Sequence, residues 1–263
     1  MKKILLVFTI LLSLISLISC EIKGTNNETK LEEIELGLYP QNKVTDINLV
    51  NELILLEEIE DNVVFHEATN KKYFRYNNEF YEVSPVVWEP VKVGNEILYI
   101  SKVILDAQVF LKEEYVKVIG NSESIKPGVP SGTYSNNYEY SDLREWLNGP
   151  FFTSTFTLEE QEKLAKIKYD GLSDYVYTLS KDDITNLIHP SALVTDYAKE
   201  SGCEVFFSDG TDKTFDGRGL SWLRDGNDIH KYRVYALNNE GLVYEYVDCY
   251  YKGVGVRPVI KLK

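Results

Sequence analysis

The sequence predicts an α+β domain, in which helices pack to one side of a twisted antiparallel sheet. Three observations favour this class. Runs typical of strands lie towards both ends of the chain, whereas apolar spacings of three and four residues lie mainly in its middle. Turns rich in Asn and Gly join consecutive strand-like runs, as in antiparallel hairpins. The composition, 44% hydrophobic and 26% charged, is that of a globular protein.

The first third of the chain is predicted to form strands and one helix. Asp46 can cap this helix, whose apolar residues Ile47, Val50, Leu53 and Ile54 recur at spacings of three and four. One strand is expected over residues 31–39, where Gly37 and Pro40 should end it. Two hairpins follow, with turns at residues 77–79 and 94–95. Both turns contain Asn, which tolerates the positive φ angles of tight hairpin turns.

The middle of the chain is predicted to be helical, after a Gly- and Pro-rich loop over residues 120–137. Asp142 and Thr157 each precede a Glu at capping-box spacing, which indicates helix starts. Helices are predicted over residues 142–147, 157–167, 181–188 and 195–200. Strands are then predicted over residues 220–224, 232–237, 242–247 and 254–262.

The N-terminus has the pattern of an export signal. Two lysines precede an apolar run over residues 4–18, which is shorter than the roughly 20 residues of a membrane-spanning helix. The run ends in Leu17-Ile18-Ser19-Cys20, which resembles a bacterial lipobox, and the resemblance implies cleavage before Cys20 and its lipidation. An ordinary signal peptide with a chance cysteine and a retained membrane helix are the alternatives.

These features predict three regions and a location. Residues 1–19 form a lipoprotein signal peptide, residues 20–33 a lipidated Cys20 with a flexible tether, and residues 34–263 one globular domain. The protein is expected to be exported and anchored by lipid to the bacterial cell membrane or outer membrane. Acyl chains on Cys20 would supply the anchor, because two or more chains give stable attachment.

The net charge of −13 excludes one class of partner. Nucleic-acid-binding proteins present a basic face, so no nucleic acid is expected as a partner. Once Cys20 is lipidated, Cys203 and Cys249 remain, and an exported protein could pair them in a disulfide. Two buried free thiols are the alternative.

Five segments together resemble a known family. They are residues 37–41 (GLYPQ), 88–106 (beginning WEPV), 143–148 (LREWLN), 222–224 (WLR) and 255–260 (GVRPVI). In this order and spacing they resemble an uncharacterised bacterial domain family of the DUF6273 type, found in secreted and surface proteins. The resemblance covers residues 34–263 and implies no established activity.

The WLR strand and the GVRPVI tail also resemble the C-terminal part of C-type-lectin-like and formylglycine-generating-enzyme-like folds. This resemblance implies a twisted antiparallel sheet with its terminal strands close together. Formylglycine-type enzymes need a reactive cysteine pair at short spacing, whereas Cys203 and Cys249 are 46 positions apart. The departure argues against that activity.

The sequence contains no catalytic or phosphate-binding motif of the HExxH, GxSxG or GK[ST] kind. Asp209, Asp212 and Asp216 share the loop over residues 208–219, but their spacing is not that of a calcium-binding EF-hand loop. We therefore expect no metal and no cofactor, and a solvated acidic turn is the default interpretation of the loop.

The candidate binding residues are Trp222, Arg224 and Asp225, because Trp and Arg are frequent contact anchors. The alternative is structural, with Trp222 in the core and Arg224 paired with a buried carboxylate. The tyrosine-rich stretch over residues 244–251 fits either an interaction face or ordinary strands.

The expected function is therefore a non-catalytic ligand-binding or adhesion domain on a membrane-anchored envelope or surface lipoprotein, and not an enzyme. Expected partners are membrane lipid through Cys20 and an unknown protein or glycan ligand. A degenerate formylglycine-generating-type enzyme and a purely structural envelope lipoprotein are the alternatives.

Overall fold

The computed structural model describes residues 31–117 and 122–263. The chain divides into the units Met1–Leu31 and Glu32–Lys263, and the following concerns the second. The predicted signal peptide and Cys20 lie outside the described residues. Among the residues that the structure describes, no helix is long and apolar enough to cross a membrane.

Strands dominate the described chain. They are β1 (Ile34–Lys43), β2 (Glu58–Glu60), β3 (Val63–His66), β4 (Lys71–Tyr76), β5 (Glu79–Val93), β6 (Glu96–Ser101), β7 (Asp106–Ala107), β8 (Leu164–Ala165), β9 (Ile167–Tyr169), β10 (Leu172–Asp174), β11 (Val176–Tyr177), β12 (Ser221–Gly226), β13 (Arg233–Leu237), β14 (Val243–Asp248), β15 (Gly255–Val256) and β16 (Val259–Leu262).

The helices are short. They are α1 (Ile47–Ile54), α2 (Asp142–Trp146), α3 (Phe152–Thr155), α4 (Leu158–Lys163) and α5 (Asp196–Glu200). A π-helical turn over Leu147–Phe151 joins α2 to α3. Single 3₁₀ turns span Glu113–Tyr115, Tyr138–Tyr140 and Asp183–Asn186.

Among the described strands, two sheets and a small hairpin form. The larger sheet has the order β11-β16-β6-β5-β4-β3-β2, with β1 paired to β5 and β8 paired to β16. The second sheet has the order β14-β13-β12-β15-β7, and β9 pairs with β10. The β12–β15 pair is parallel and the other named pairs are antiparallel. The predicted mixture of helices and mainly antiparallel strands is confirmed at this level.

Strand β1 is longer than the sequence predicts. It continues through Gly37 and Pro40, and its pairing with β5 shifts register at both places. Gly37 adopts a φ of 73°, which suits a bulge, and Pro40 is tolerated because β1 pairs with one strand only. The prediction that these two residues end the strand was wrong.

Both predicted hairpins are confirmed. Asn77 and Asn78 have φ angles of 49° and 65° between β4 and β5. Gly94 has a φ of 59° between β5 and β6. Positive φ at these turn positions matches the twist of the flanking strands.

Three helix predictions differ from the structure. Helix α2 is capped by Ser141 rather than by Asp142, since the Ser141 hydroxyl accepts a hydrogen bond from Arg144 N at 3.0 Å. The predicted capping box at Thr157 is confirmed, but its helix ends at Lys163 because the next two residues pair with β16. The helix predicted over 181–188 is one 3₁₀ turn.

The strand predicted over 254–262 is two strands in two sheets. β15 joins the smaller sheet and β16 the larger one, with Arg257 and Pro258 between them. Trp88 of the larger sheet and Trp222 of the smaller sheet both lie in the main core. That core also contains Leu143, Leu147 and Phe151 of the helical segment.

Candidate functional site

Trp222, the first candidate binding residue, lies in the core with 2% of its surface exposed. Its indole Nε1 donates a hydrogen bond to the Gln108 carbonyl at 2.7 Å. Its ring packs edge-to-face with the Phe110 ring, with 5.9 Å between the ring centres. A side chain placed in this way stabilises the core, and its ring is not available as a surface contact in this structure.

Arg224 and Asp225 are likewise engaged by their neighbours. The Arg224 guanidinium donates to Asp183 at 2.7 Å and lies 4.9 Å from the centre of the Tyr169 ring. Burial alone would raise the pKa of Asp183, but hydrogen bonds from Ser180 and Arg224 outweigh burial and lower it. Asp225 accepts a hydrogen bond from Lys181 N at 2.7 Å. This arrangement is the ion pair that the structural alternative describes.

Cys203 and Cys249 are free thiols in the structure, so the possible disulfide between them is not formed. Cys203 packs in a small cluster with Ile104 and Ala198, whereas Cys249 lies in the main core. Burial raises the pKa of each thiol to about 12. Both groups are therefore protonated at neutral pH.

The acidic loop over residues 208–219 uses its carboxylates locally. Asp212 accepts hydrogen bonds from the backbone and hydroxyl of Thr214, and Asp216 accepts one from Ser208 N. In residues 31–117 and 122–263, no group of three or more His, Cys, Asp or Glu side chains is placed to hold a metal ion.

A cleft of about 680 Å³ lies beside β1, β4 and the helical turns around α3. A volume of this size is within the range of small-molecule sites, which combine apolar walls with a few polar groups. It is lined by Leu38, Tyr39, Pro40, Glu60, Asp61, Val63, Lys72, Phe74, Val83, Asp106, Gln108, Trp146, Pro150, Thr153, Ser154, Thr155, Phe156, Thr157 and Tyr197.

A buried carboxylate contributes to the lining of this cleft. Asp106 is 3% exposed and accepts hydrogen bonds from the Tyr39 hydroxyl at 2.5 Å and from Ala107 N at 2.7 Å. Burial raises the pKa of Asp106, although hydrogen bonds from Tyr39, Ser201 and Gln108 oppose the shift. Burial and the nearby Asp106 charge also raise the pKa of Tyr39, which keeps its phenol as the donor.

Tyr197 joins the cleft to an aromatic cluster. Its ring makes edge contacts with the rings of Tyr39 and Phe74, at distances of 5.8 Å and 5.6 Å between ring centres. Helix α5 holds this ring, since the Thr195 hydroxyl caps the helix and Asp196 accepts a hydrogen bond from Lys43 N at the end of β1. The cluster fixes the position of the aromatic wall.

The helical side of the cleft provides Trp146 and a row of hydroxyls. The Trp146 ring is half-buried and packs on Phe151 at 5.1 Å. The Thr155 hydroxyl is buried and has no hydrogen-bond partner within the described part of the chain. A buried, unpartnered hydroxyl costs free energy. The hydroxyls of the neighbouring Thr153 and Ser154 are exposed along the same wall.

The cleft rim is charged. Lys72 of β4 pairs with Glu60 of β2 at 2.8 Å across the intervening strand β3, and both side chains are exposed. Asp61 is also exposed at the rim. The lining thus holds three carboxylates and one ammonium group.

Sequence reasoning missed this site because its residues are scattered along the chain. Asp106 appeared only as the last residue of the segment 88–106, and Tyr39 only within the segment 37–41. The available signal is a carboxylate directly after the apolar stretch that ends at Leu105. That signal does not say which distant side chains the carboxylate meets.

Comparison with known proteins gives one match. A family model described as "Domain of unknown function (DUF6273)" matches residues 106–263, more than half of the chain. No curated protein and no solved structure matches the chain. The matched range includes Asp106, Trp146 and Tyr197, whereas Tyr39 and Phe74 precede it.

Proposed function

The chain belongs to the DUF6273 family, and we propose that it is a lipid-anchored bacterial envelope or surface protein whose domain binds a glycan without catalysis. The observation that carries this proposal is the cleft at Asp106. It combines aromatic walls, a buried carboxylate and exposed hydroxyls in about 680 Å³. Apolar walls with a few converging polar groups are the usual features of a ligand site.

The lining favours a sugar over a purely apolar ligand. Sugar rings present apolar C–H faces and hydroxyl edges, so they match aromatic rings that stand next to hydrogen-bonding groups. Trp146 and Phe74 supply half-buried rings, and Gln108 and Ser154 supply an amide and a hydroxyl. A sugar hydroxyl can donate to one group and accept from another, which suits such mixed partners.

The chemistry of the described side chains supports binding rather than turnover. A reactive cysteine needs a lowered pKa, whereas burial raises the pKa of both Cys203 and Cys249 to about 12. Asp106 is held by four donors and is paired with a neutral phenol rather than with an activated nucleophile. A degenerate formylglycine-type activity therefore has no supporting feature here.

The anchor is supported by the N-terminal sequence. A positive start, an apolar run and Leu17-Ile18-Ser19-Cys20 fit a lipoprotein signal. We expect Cys20→Ala to release the protein from membranes into the aqueous phase. Mass spectrometry of native material that finds Met1 intact and Cys20 unmodified would refute the anchor but leave the cleft proposal standing.

We propose in addition that the fold is C-type-lectin-like, as the resemblance of residues 222–224 and 255–260 implies. It is supported by the placement of the first and last described strands, since β1 and β16 belong to the same sheet and are separated by β5 and β6. An experimental structure with β1 and β16 in separate sheets would contradict this relationship.

The test of the binding proposal is a glycan array probed with the full chain, followed by titration calorimetry of the best ligand. We expect Trp146→Ala to weaken binding about tenfold or more, because it removes a large contact ring. Phe207→Ala is the matched control, since Phe207 is an aromatic residue that is 61% exposed away from the cleft lining.

The proposal fails if the array is blank, or if Trp146→Ala and Phe207→Ala bind the ligand equally well. A blank array would favour the purely structural alternative. Turnover of a substrate that is lost on a point mutation would favour an enzyme.

A further inference from the structure

A second cavity lies on the smaller sheet, away from the cleft. It has a volume of about 340 Å³ and includes residues of the terminal strand β14 and of the turn that follows it. Its lining contains four tyrosines, two carboxylates and two aliphatic side chains. The tyrosines are Tyr244, Tyr246, Tyr250 and Tyr251, and the carboxylates are Glu204 and Asp248.

Strand geometry places two of the tyrosines together. Tyr244 and Tyr246 are two residues apart on β14, where the pairing with β13 shifts register. Their ring centres are 6.2 Å apart at an interplanar angle of 74°. They are 44% and 54% exposed, so both rings are accessible from solvent.

The carboxylates hold the other two tyrosines. The Tyr251 hydroxyl donates to Glu204, and the Tyr250 hydroxyl donates to Asp248 at 3.2 Å. The hydrogen bond to Glu204 and burial raise the pKa of Tyr251 to about 12. Its phenol therefore stays neutral at physiological pH, and the negative charge stays on the carboxylates.

The neighbourhood already packs a cation against one of these rings. Arg233, which is not among the lining residues, pairs with Asp248 at 3.1 Å and lies 5.5 Å from the centre of the Tyr246 ring. Within the described residues Glu204 has no ion-pair partner of its own. The site is therefore rich in electron-dense ring faces and retains an unbalanced negative charge.

We propose that this cavity binds an organic ammonium group, with quaternary ammonium as the best-fitting class. Such cations are attracted to the faces of aromatic rings and are weakly hydrated, and aromatic cages are the common way to recognise them. Glu204 supplies the opposite charge, the lining itself contains no lysine or arginine, and the nearby Arg233 is paired with Asp248. This site is independent of the glycan cleft.

The test titrates two matched probes into the full chain and measures their binding by NMR. Choline carries the quaternary ammonium, whereas 3,3-dimethyl-1-butanol has nearly the same shape without the charge. We expect choline to bind at least about fivefold more tightly than the neutral probe, the difference expected for cation–π attraction. A second arm compares vesicles of phosphatidylcholine with vesicles of phosphatidylglycerol, to separate a free ammonium ligand from a lipid headgroup.

Two substitutions test the site itself. Tyr246→Leu keeps an apolar side chain but removes the ring, and Glu204→Gln keeps the shape but removes the charge. We expect each to weaken choline binding about fivefold. Tyr134→Leu, at a tyrosine that is 43% exposed outside the cavity lining, should leave binding unchanged. The proposal is overturned if choline does not bind, if the neutral probe binds equally well, or if both site variants bind like the control.

Discussion

Asp106 and Tyr39 form a buried, hydrogen-bonded pair in the cleft. The carboxylate is removed from water, yet it accepts hydrogen bonds from a phenol at 2.5 Å and a backbone N–H at 2.7 Å. Hydrogen bonding to the charged form opposes the effect of burial, and burial wins, so the pKa of Asp106 is raised. Because Asp106 binds its proton differently in the folded and unfolded chain, the free energy of unfolding depends on the protonation of this cleft residue.

We predict a pH dependence of stability from Asp106. Because its pKa is raised on folding, the folded protein holds this proton more tightly than the unfolded chain does. The protonated Asp106 therefore adds to the free energy of unfolding. This contribution is fully present below the pKa of Asp106 in the unfolded chain, about 3.9, and is lost as the pH rises through its raised pKa in the folded protein. Urea unfolding across this interval should show the loss in the native sequence but not in Asp106→Asn.

Asp209→Asn is the control for this experiment, since Asp209 is an exposed carboxylate in the acidic loop. Its variant should follow the native pH dependence. Equal slopes for the native chain and Asp106→Asn would contradict the prediction.

Gly37 allows β1 to pass close to Thr155 and Phe156, two residues that line the cleft. Its φ is 73°, and an added Cβ would lie 2.8 Å from Thr155 Cγ2 and 2.9 Å from the Phe156 ring. We predict that Gly37→Ala lowers the free energy of unfolding by at least about 1 kcal/mol, from left-handed strain alone. Gly149→Ala is the control, because its Cβ meets nothing within 4 Å. A Gly37→Ala variant as stable as Gly149→Ala would contradict this prediction.

Residue identities alone could not predict the site. Trp222 and Arg224 have the side chains of contact anchors, but the fold places one in the core and the other against Asp183. Their roles depend on groups more than 40 positions away, namely the Gln108 carbonyl and the Asp183 carboxylate. Tyr39 and Asp106 are 67 positions apart, so no local pattern reports their contact.

At the scale of elements, local sequence signals predicted turns and helix starts better than helix ends. Asn77 and Thr157 act through hydrogen bonds and φ angles set within a few residues, and both predictions are confirmed. The helix end at Lys163 is set by pairing of the next residues with β16, about 100 positions later. Tertiary pairing overrides the helical spacing there.

Helix α4 provides an element-scale prediction. Glu160 accepts hydrogen bonds from Thr157 N at 2.9 Å and from Gly37 N at 3.0 Å, so its cap also holds β1. We predict that Thr157→Ala lowers the free energy of unfolding by about 1 kcal/mol, the usual effect of losing an N-cap. Thr157→Ser keeps the hydroxyl and should be close to native in chemical denaturation. If the two variants lose the same stability, the hydroxyl is not the cause.

At the scale of the whole molecule, the chain after β15 connects the two sheets. Arg257 lies at this connection, fully buried, and donates to the carbonyls of Ser101, His189 and Pro190. Burial lowers the pKa of Arg257 to about 10, and it remains charged at neutral pH. The sequence predicted one strand here because the apolar run continues on both sides of Arg257 and Pro258.

The same scale explains the composition of the cleft. Residues before 106, including Tyr39 and Phe74, line it together with Asp106, Trp146 and Tyr197 of the family-matched region. The segment before the matched region is therefore part of the candidate site rather than a separate addition. A ligand in the cleft would contact both regions.

The most direct measurement is a crystal structure of the full chain with the tightest-binding glycan from the array. We predict that the sugar lies in the cleft, with one face on Trp146 and hydroxyls within hydrogen-bond distance of Ser154 and Gln108. A glycan bound anywhere else on the surface, with the cleft side chains unchanged, would contradict the assignment of this cleft as the binding site.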